Sequence, residues 1–392
     1  MKHKSLYTGA LGLLLAMIST ACNDSEGDLL QPKVYFESNE IKVDAEEEEY
    51  TCDISARISK PLDSPVSVRY TIGGQELVDS YNRRNGKQAK LLPAENYEFA
   101  TSQSTVTPGE VYTASCPLRV KGMSTLEDGA TFVLPVMMSA EGVTPISEKS
   151  LSYIVVKKPA RIYKAMEFGT YWLDLQLPAS FKYTRSVTYE ALVYATRWVN
   201  LGTIMGAEGQ LILRTGDAGI PANQLNLGGW FGLYMPNTDV WSTGKWYHVA
   251  LTYDGPTGFI AFYINGECIV SKTVEANVKI DLNNRFSIGY AYDYDPRRKW
   301  VGYMSEVRLW NVCRSANEIK ENMLIVNPKS EGLQGYWKLD GSDIEHRDGK
   351  WYIIDQTDHH FDAVSNYGLR GDNGPNGVKY GEPPIVDTDI RI

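Results

Sequence analysis

Several features that mark common protein classes are scarce or missing in this sequence. It has five cysteines among 392 residues and no Cys-x-x-Cys motif, so it does not depend on a disulfide scaffold and shows no sign of thiol chemistry. The net charge is -9 and there is no dense basic stripe, which argues against nucleic acid as a partner. The length suits two or three domains that each bury a core.

Motifs that specify catalysis are missing as well. A glycoside hydrolase holds two carboxyl groups on either side of the bond it cleaves, and the sequence has no Glu-x-Asp-x-x-Glu strand to supply them. It has neither a Gly-x-Ser-x-Gly elbow nor a His-Glu-x-x-His helix. The adjacent His359 and His360 lack the spacing of a zinc pair. The sequence therefore predicts that the protein is not an enzyme.

The N-terminal apolar run, LGLLLAMI at residues 11–18, is too short to span a bilayer. It follows two lysines and leads into small residues and Cys22, which predicts a signal peptide over residues 1–22. Residues 19–22 resemble the lipobox of bacterial lipoproteins, although Ser19 stands where a larger aliphatic residue is usual. The resemblance implies that Cys22 is acylated and anchors the protein. Cleavage to a soluble periplasmic protein is the alternative.

Acidic residues follow Cys22 and resemble the surface-export signal of Bacteroidetes-type lipoproteins: Asp24, Glu26 and Asp28. The expected location is therefore the outer membrane, at the cell surface, held by a lipid anchor. Residues 23–32 have no apolar periodicity and are predicted to form a flexible acidic tether.

The rest of the chain is rich in strand and turn residues, including 25 Tyr and 34 Gly, and an all-β protein is predicted. Residues 50–58, YTCDISARI, alternate apolar and polar side chains, as a strand with one wet face requires. One helical stretch is expected over residues 76–86, with Gly86 at its C-terminal end. Residues 33–158 are thus predicted to form an Ig-like β-sandwich with a short helical insertion.

The order of motifs in this first domain resembles a domain of unknown function near the N-terminus of many Bacteroidetes-type surface lipoproteins. LVDSYNRRNG, LLPAENYEF and FVLPV carry the resemblance. In that family the domain usually precedes a glycan-active or glycan-binding module. The resemblance implies a spacer or assembly role.

A linker is predicted at residues 159–165, and strand signals resume after it. Asn265-Gly266 between apolar flanks predicts a hairpin, because both residues tolerate positive φ. KWYHVALTYDG, FYINGE, FSIG and EVRLWN occur in the order and spacing of the concanavalin A-like or laminin-G-like jelly roll, which the second half resembles. Residues 166–392 are therefore predicted to form a jelly-roll β-sandwich.

Two loops of this second domain are candidate glycan sites. Aromatic rings stack on sugar C–H faces, and carboxylate and guanidinium groups hydrogen bond to hydroxyls. One loop, residues 290–300, offers Tyr290, Tyr292, Asp293, Tyr294, Asp295 and Arg297, and the other offers Asn237, Asp239 and Trp241. Both follow strands, and loops at sheet ends cluster. A solvated, salt-bridged surface loop is the alternative for the first of them.

Four other tryptophans are predicted to lie in the core, because they fall within or beside strand motifs: Trp246, Trp300, Trp310 and Trp337. Cys52 and Cys116 both fall on the apolar faces of predicted strands. A disulfide between them and two buried free thiols fit this pattern equally well.

No cofactor is required, but several laminin-G-like proteins bind a calcium ion through oxygen ligands. That resemblance places Asp355 and Asp358 at a ligand position. Many members also have Asp before the Glu of the EVRLWN strand, where this chain has Ser305, and the difference counts against calcium.

These observations favour a non-catalytic surface lipoprotein that binds a glycan or polysaccharide as part of a polysaccharide-utilisation system, beside other surface proteins of that system. An adhesion or assembly module that recognises protein is the first alternative. A hydrolase with an unfamiliar pair of carboxyl groups is the second.

Overall fold

The computed structural model describes residues 31–45, 47–291, 296–368 and 378–391. The chain divides into two compact units, one ending at Pro159 and one beginning at Ala160. The described residues form thirty β-strands, two α-helices and five short 3-10 helices. The predicted all-β class is confirmed. None of the described helices is long and apolar enough to cross a membrane.

The strands of the first unit are short and mostly alternate buried with exposed side chains. In the strand over Val66–Ile72, for example, Val66, Val68 and Tyr70 are buried. The strands are β1 (Lys33–Tyr35), β2 (Glu40–Asp44), β3 (Glu49–Ile54), β4 (Arg57–Ile58), β5 (Val66–Ile72), β6 (Lys90–Leu91), β7 (Tyr97–Phe99), β8 (Gln103–Val106), β9 (Cys116–Lys121), β10 (Thr131–Ala140), β11 (Thr144–Pro145) and β12 (Leu151–Lys157).

These strands form three sheets around one apolar core. The largest sheet has the order β2-β12-β10-β5-β8, with β6 beside β10, and the smaller sheets are β3-β9-β7 and β11-β1-β4. Residues from all three sheets share the core, among them Val34, Leu118 and Ile154. The 3-10 helices of this unit are Ala94–Asn96, Met123–Thr125 and Ser147–Lys149.

The predicted helix is present as α1 (Gln75–Asn85) and ends at Gly86, whose φ of 61° is left-handed and therefore favours glycine. Val78 and Tyr81 are its buried residues, and the Tyr81 ring lies 4.9 Å from the ring of Tyr153 in β12. Helix α1 thus covers the face of the large sheet that points away from the main core.

Cys52 and Cys116 are buried free thiols, so the disulfide that the sequence left open is not formed. Cys52 pairs with Leu118 and Cys116 pairs with Ile54, which makes the two cysteines diagonal neighbours on adjacent strands. Diagonal Cβ atoms lie about 7 Å apart, whereas a disulfide needs about 4 Å. Burial raises the pKa of the Cys52 thiol to about 11, assisted by the charge of Asp53.

The second unit begins earlier than predicted, because its first strand starts at Ile162 within the expected linker. Its strands are β13 (Ile162–Phe168), β14 (Tyr171–Leu175), β15 (Val187–Ala195), β16 (Gly202–Ala207), β17 (Leu211–Asp217), β18 (Ile220–Gly229), β19 (Leu233–Tyr234), β20 (Trp246–Asp254), β21 (Phe259–Ile264), β22 (Glu267–Thr273), β23 (Phe286–Ile288), β24 (Gly302–Trp310), β25 (Leu333–Trp337), β26 (Ile344–Arg347), β27 (Lys350–Ile353), β28 (Ala363–Gly368), β29 (Val378–Tyr380) and β30 (Ile385–Ile390).

Two large sheets face each other in this unit. One has the order β22-β21-β20-β15-β24-β13-β30 with β25 beside β24, and the other has the order β19-β18-β17-β16-β23-β14-β28-β27-β26 with β29 beside β28. Leu173, Leu213, Phe262 and Val307 belong to the apolar core that both sheets supply. The short helices are α2 (Ala316–Glu321) and the 3-10 turns Ala179–Tyr183 and Pro296–Arg298.

The predicted Asn265-Gly266 hairpin joins β21 to β22, and Asn265 and Gly266 both have positive φ. Residues 230–232 form a break between β18 and β19. The connection between β15 and β16 and the segment that leads from β23 to β24 lie at the same end of the sandwich, since Gly289 donates to the carbonyl of Ile204 in β16. Functional loops commonly gather at such sheet ends.

Candidate functional site

A cleft of about 380 Å³ opens at this end of the second unit. Its lining comes from three connections: the β13–β14 turn, the β15–β16 connection and the residues just before β24. The lining residues are Gly169, Arg197, Trp198, Val199, Asn200, Leu201, Arg297, Lys299 and Val301. A second cleft of about 430 Å³ shares Gly169, Arg197 and Val301 with the first and adds Glu167, Phe168, Thr170, Tyr171 and Pro384.

Trp198 is the aromatic side chain of the first cleft, and it is half-buried. Its ring lies 4.6 Å from the ring of Trp241 and meets Trp300 edge-on at 6.5 Å. Two buried tryptophans therefore fix the indole from behind. A fixed, partly exposed ring is suited to stacking on a flat apolar surface of a ligand, because little side-chain freedom is lost on binding.

Lys299 lies at the base of the cleft and is 5% exposed. Its Nζ donates to the carbonyl oxygens of Thr170 at 3.0 Å and Gly368 at 2.6 Å. The ammonium group also lies 4.7 Å from the ring centre of Trp172 and 5.5 Å from that of Tyr290. Burial lowers the pKa of Lys299 to about 8, since desolvation disfavours the charged form.

Two arginines flank this lysine at the solvent edge of the cleft. Arg197 and Arg297 are both exposed. Among the described lining residues of the two clefts, Glu167 is the one carboxylate. The site therefore offers a ring, guanidinium donors and a buried ammonium group.

Two residues predicted to bind a glycan are buried, and those two predictions are corrected. Tyr290 is 0% exposed and packs edge-on against Trp172. Trp241 is 4% exposed and donates from Nε1 to the carbonyl of Asn223 at 2.8 Å. Neither ring has a free face, because each fills the space between a loop and the sandwich core.

Of the other residues predicted to bind a glycan, one lines the cleft, two are exposed in a turn, and the rest lie outside the described residues. Arg297 lines it. Asn237 and Asp239 are exposed, and the Asp239 amide donates to Asn237 Oδ1 at 2.9 Å, which closes a turn. Tyr292, Asp293, Tyr294 and Asp295 lie outside the described residues, as does Cys22. Trp198, which follows β15, contacts Trp241 in the loop after β19 and Trp300 at the end of the 290–300 segment, so it lies next to parts of both predicted loops.

Asp355 and Asp358, which were expected to bind calcium, have different environments. Asp355 is buried and accepts hydrogen bonds from the amides of Tyr336, Thr357 and Phe361 and from the Thr357 hydroxyl. These four donors occupy the carboxylate in holding its turn together. Asp358 is exposed. The described part of the chain places no three His, Cys, Asp or Glu side chains together as a metal site.

The tryptophans expected in the core behave as predicted. Trp300, Trp310 and Trp337 are 1%, 3% and 0% exposed. Trp246 is partly buried and donates from Nε1 to Thr388 Oγ1 at 2.9 Å. These side chains stabilise the sandwich by burial.

A closed network of charged groups lies on the outer side of the sheet that contains β15, β20 and β24. Glu190 accepts from Arg308 at 3.3 Å and from Arg314 at 2.5 Å, and His248 Nε2 lies 3.2 Å from its carboxylate. Arg308 also donates to Glu306 at 2.7 Å. Glu190, His248 and Arg308 are 0% exposed, so no ligand reaches them.

Carboxyl groups with a raised pKa lie away from the cleft. Burial raises the pKa of Asp343 to about 6, and burial also raises that of Glu306. Both residues are less than 5% exposed, and neither lines the two clefts described above. The described lining of the two clefts thus holds one carboxylate, Glu167, and not the pair that a glycoside hydrolase uses.

Sequence reasoning did not select Trp198, Arg197 or Lys299. Arg197 and Trp198 stand in the stretch TRWVN directly after β15, without apolar alternation. The one signal of a ligand site in this stretch was a cation beside a tryptophan directly after a strand. No local pattern around Lys299, which precedes Trp300, indicated that its side chain is buried.

Comparison with known proteins covers both units. A family model described as the concanavalin A-like lectin/glucanases superfamily matches residues 169–320, and a model described as an N-terminal domain matches residues 30–143. A candidate carbohydrate binding protein from Bacteroides ovatus, of known structure, is 33% identical with a TM-score of 0.66. The match covers 90% of this chain and 99% of that chain.

Two pentraxins show more limited similarity. The structure of an SAP-like pentraxin from Limulus polyphemus is 19% identical with a TM-score of 0.33, over 41% of this chain and 80% of that chain. Serum amyloid P-component from Sus scrofa is 27% identical over 78 residues, which are 19% of this chain and 35% of the relative. The chain thus spans about a third of the length of this curated relative.

Proposed function

The chain belongs to the two-domain family represented by the Bacteroides ovatus protein, in which a concanavalin A-like domain follows an N-terminal domain, and from this relationship we propose that it binds carbohydrate without cleaving it. The second domain binds the glycan, and the first serves as a spacer. The observation that carries the proposal is Trp198, a fixed and partly exposed ring in a cleft with guanidinium donors beside it.

The geometry of the cleft supports binding through stacking and hydrogen bonds. A sugar ring has an apolar C–H face that packs on an indole, while its hydroxyl groups accept hydrogen bonds from guanidinium and amide groups. The cleft supplies these groups from Arg197, Asn200 and Arg297. Its volume of about 380 Å³ is within the usual range of small-ligand sites.

The single carboxylate in the described lining of the two clefts supports a non-catalytic role. Glycoside hydrolysis uses a pair of carboxyl groups that flank the scissile bond. Among the described residues that line the two clefts, Glu167 stands alone.

We further propose that the protein acts at the cell surface, anchored in the outer membrane through acylated Cys22. The N-terminal sequence motifs support this location, and residues 23–32 would hold the folded domains away from the lipid. There it would serve a polysaccharide-utilisation system together with other surface proteins. A bound calcium ion stays a proposal for the turn that holds Asp355 and Asp358.

Binding measurements on the chain without residues 1–22 test the carbohydrate proposal. A glycan array followed by calorimetry should identify a polysaccharide whose affinity falls at least tenfold in Trp198→Ala, whereas Trp198→Phe should retain part of it. Trp230→Ala is the matched control, because Trp230 is 59% exposed and does not line either cleft. Glycan binding that is unchanged in Trp198→Ala would remove the cleft from the site, and an array without any bound glycan would overturn the proposal.

Recognition of protein is the second candidate function, and one surface favours it. Trp230 and Tyr234 are 59% and 54% exposed, and they lie at and just beyond the turn between β18 and β19. Exposed aromatic side chains are enriched at protein interfaces. If this function holds, Trp230→Ala and not Trp198→Ala should abolish attachment of the protein to intact cells.

A further inference from the structure

The charge of the first cleft differs in sign from the charge of the whole chain. The net charge of the protein is -9. The described lining of the first cleft nevertheless has three cationic side chains, Arg197, Arg297 and Lys299, and none of its nine described lining residues is acidic. A local potential of opposite sign to the whole molecule concentrates anions at that place.

Arg197 makes this positive potential available to a ligand. Its side chain is exposed, and no carboxylate of the described residues lies within ion-pair distance of it. The nearby Arg298 is different, because its Nη1 lies 3.9 Å from Glu208 Oε1. Arg197 therefore has guanidinium donors that can form a bidentate contact with a carboxylate or sulfate group.

Lys299 adds a buried positive charge that no described carboxylate neutralises. Its ammonium group is held by two backbone carbonyls between two aromatic rings. Carbonyl and ring contacts orient an ammonium group but do not cancel its charge, and a desolvated cation is costly without a counter-ion. An anionic group bound in the cleft would supply the missing counter-charge.

We infer that the cleft selects acidic saccharides, whose carboxylate or sulfate group binds between Arg197, Arg297 and Lys299 while a neighbouring sugar ring stacks on Trp198. This inference rests on the proposed carbohydrate binding and specifies the class of glycan. Neutral glycans lack the group that would compensate Arg197 and Lys299, so they should bind more weakly than acidic glycans of the same backbone.

Matched pairs of glycans test the inference on the chain without residues 1–22. Calorimetry compares oligogalacturonate with its full methyl ester, 3'-sialyllactose with lactose, and sulfated with unsulfated galacto-oligosaccharide. We expect at least one acidic member to bind ten times more tightly than its neutral partner. The carboxylate and sulfate pairs show which anionic group the site prefers.

Charge variants locate the effect. Arg197→Gln keeps hydrogen-bond donors but removes the charge, and it should lower the affinity for the acidic glycan at least tenfold while leaving thermal unfolding unchanged. Arg185→Gln is the matched control, because Arg185 is also exposed and precedes β15, whereas Arg197 follows that strand. The control should bind like the unmodified protein.

The outcomes separate the inference from the function on which it rests. Tight binding of a neutral glycan that depends on Trp198 but not on Arg197 would overturn the acidic preference and leave carbohydrate binding intact. Acidic binding that neither Trp198→Ala nor Arg197→Gln reduces would also overturn it, because the site would lie elsewhere. The absence of binding to every acidic and neutral glycan would overturn both.

Discussion

Two groups of cations in the second domain show how the same side-chain chemistry serves two purposes. Arg308 and Arg314 lie on the outer side of one sheet and share the carboxylate of Glu190, with Glu306 as a further partner of Arg308. Arg197 and Lys299 lie at one end of the sandwich, and neither has a described carboxylate within ion-pair distance.

The difference lies in how each positive charge is compensated. A closed network satisfies its own charges, so it stabilises a unique arrangement of strands and offers nothing to a ligand. Cations without a carboxylate partner in the protein can form an ion pair with an anionic ligand, and this ion pair favours binding. Mutations in the first group should therefore affect folding, and mutations in the second should affect binding.

The largest expected effect is on folding. Glu190→Gln leaves the buried Arg308 and Arg314 without their shared anion, so it should lower the free energy of unfolding of the second domain by about 3 to 5 kcal/mol. Urea unfolding followed by tryptophan fluorescence measures this domain alone, because all nine tryptophans lie at or after residue 172.

The control for this variant is an exposed ion pair. Glu267 and Lys320 are 67% and 58% exposed and lie 2.5 Å apart. Glu267→Gln should change the free energy of unfolding by less than about 1 kcal/mol, because solvent screens such pairs. An equally small effect of Glu190→Gln would mean that the buried network is not closed.

As the pH falls, the network around Glu190 should lose stability in two steps, first through His248 and then through Glu190. Burial lowers the pKa of His248 below its ordinary value of 6.5, so the unfolded chain takes up a proton at His248 that the folded chain does not. The stability that neutral His248 contributes is therefore present above pH 6.5 and is lost as the pH falls below it.

Glu190 acts at lower pH. Burial alone would raise its pKa, but the hydrogen bond from His248 and the charges of the arginines lower it from 4.5 to about 2. Its contribution is present above pH 4.5 and is lost as the pH falls towards 2. In His248→Gln, unfolding measured against pH should lack the decline below pH 6.5 and keep the later one. Superimposable curves for both proteins would contradict this assignment.

The smallest expected effect concerns binding at alkaline pH. The pKa of Lys299 is lowered to about 8 by burial, so the cleft loses a positive charge as the pH rises through that value. The affinity for an acidic oligosaccharide should fall several-fold between pH 7 and pH 9.5. In Lys299→Met the affinity should be lower at pH 7 and should not vary over this range. A neutral saccharide is the control, since its affinity should not follow the charge of Lys299.

Much of the fold could be predicted because its signals are local. The apolar alternation of β5 and the left-handed Gly86 after α1 depend on residues within a few positions. The β21–β22 hairpin follows the same rule, because its Asn265-Gly266 turn is local. The edge strands β2 and β8 were not predicted, because few of their side chains are apolar.

The site was harder to predict because it depends on contacts between distant segments. Trp198 and Trp241 are far apart in sequence, and nothing local indicates that one fixes the other. Tyr290 and Trp241 have the residue types of a glycan site, but only their packing shows that the core occupies both faces of each ring. Trp198, which follows β15, is the residue that contacts both predicted loops, and no local pattern distinguished it.

The three connections that line the cleft have a consequence for how such proteins diversify. The strands supply most of the apolar core, and from these connections Trp300 belongs to it and Trp198 packs against it. Substitutions at the exposed Arg197 or Asn200 can therefore alter ligand preference while the scaffold keeps its stability. If the cleft binds carbohydrate as proposed, exchange of a few exposed residues at one end of an unchanged sandwich is enough to change which glycan is bound.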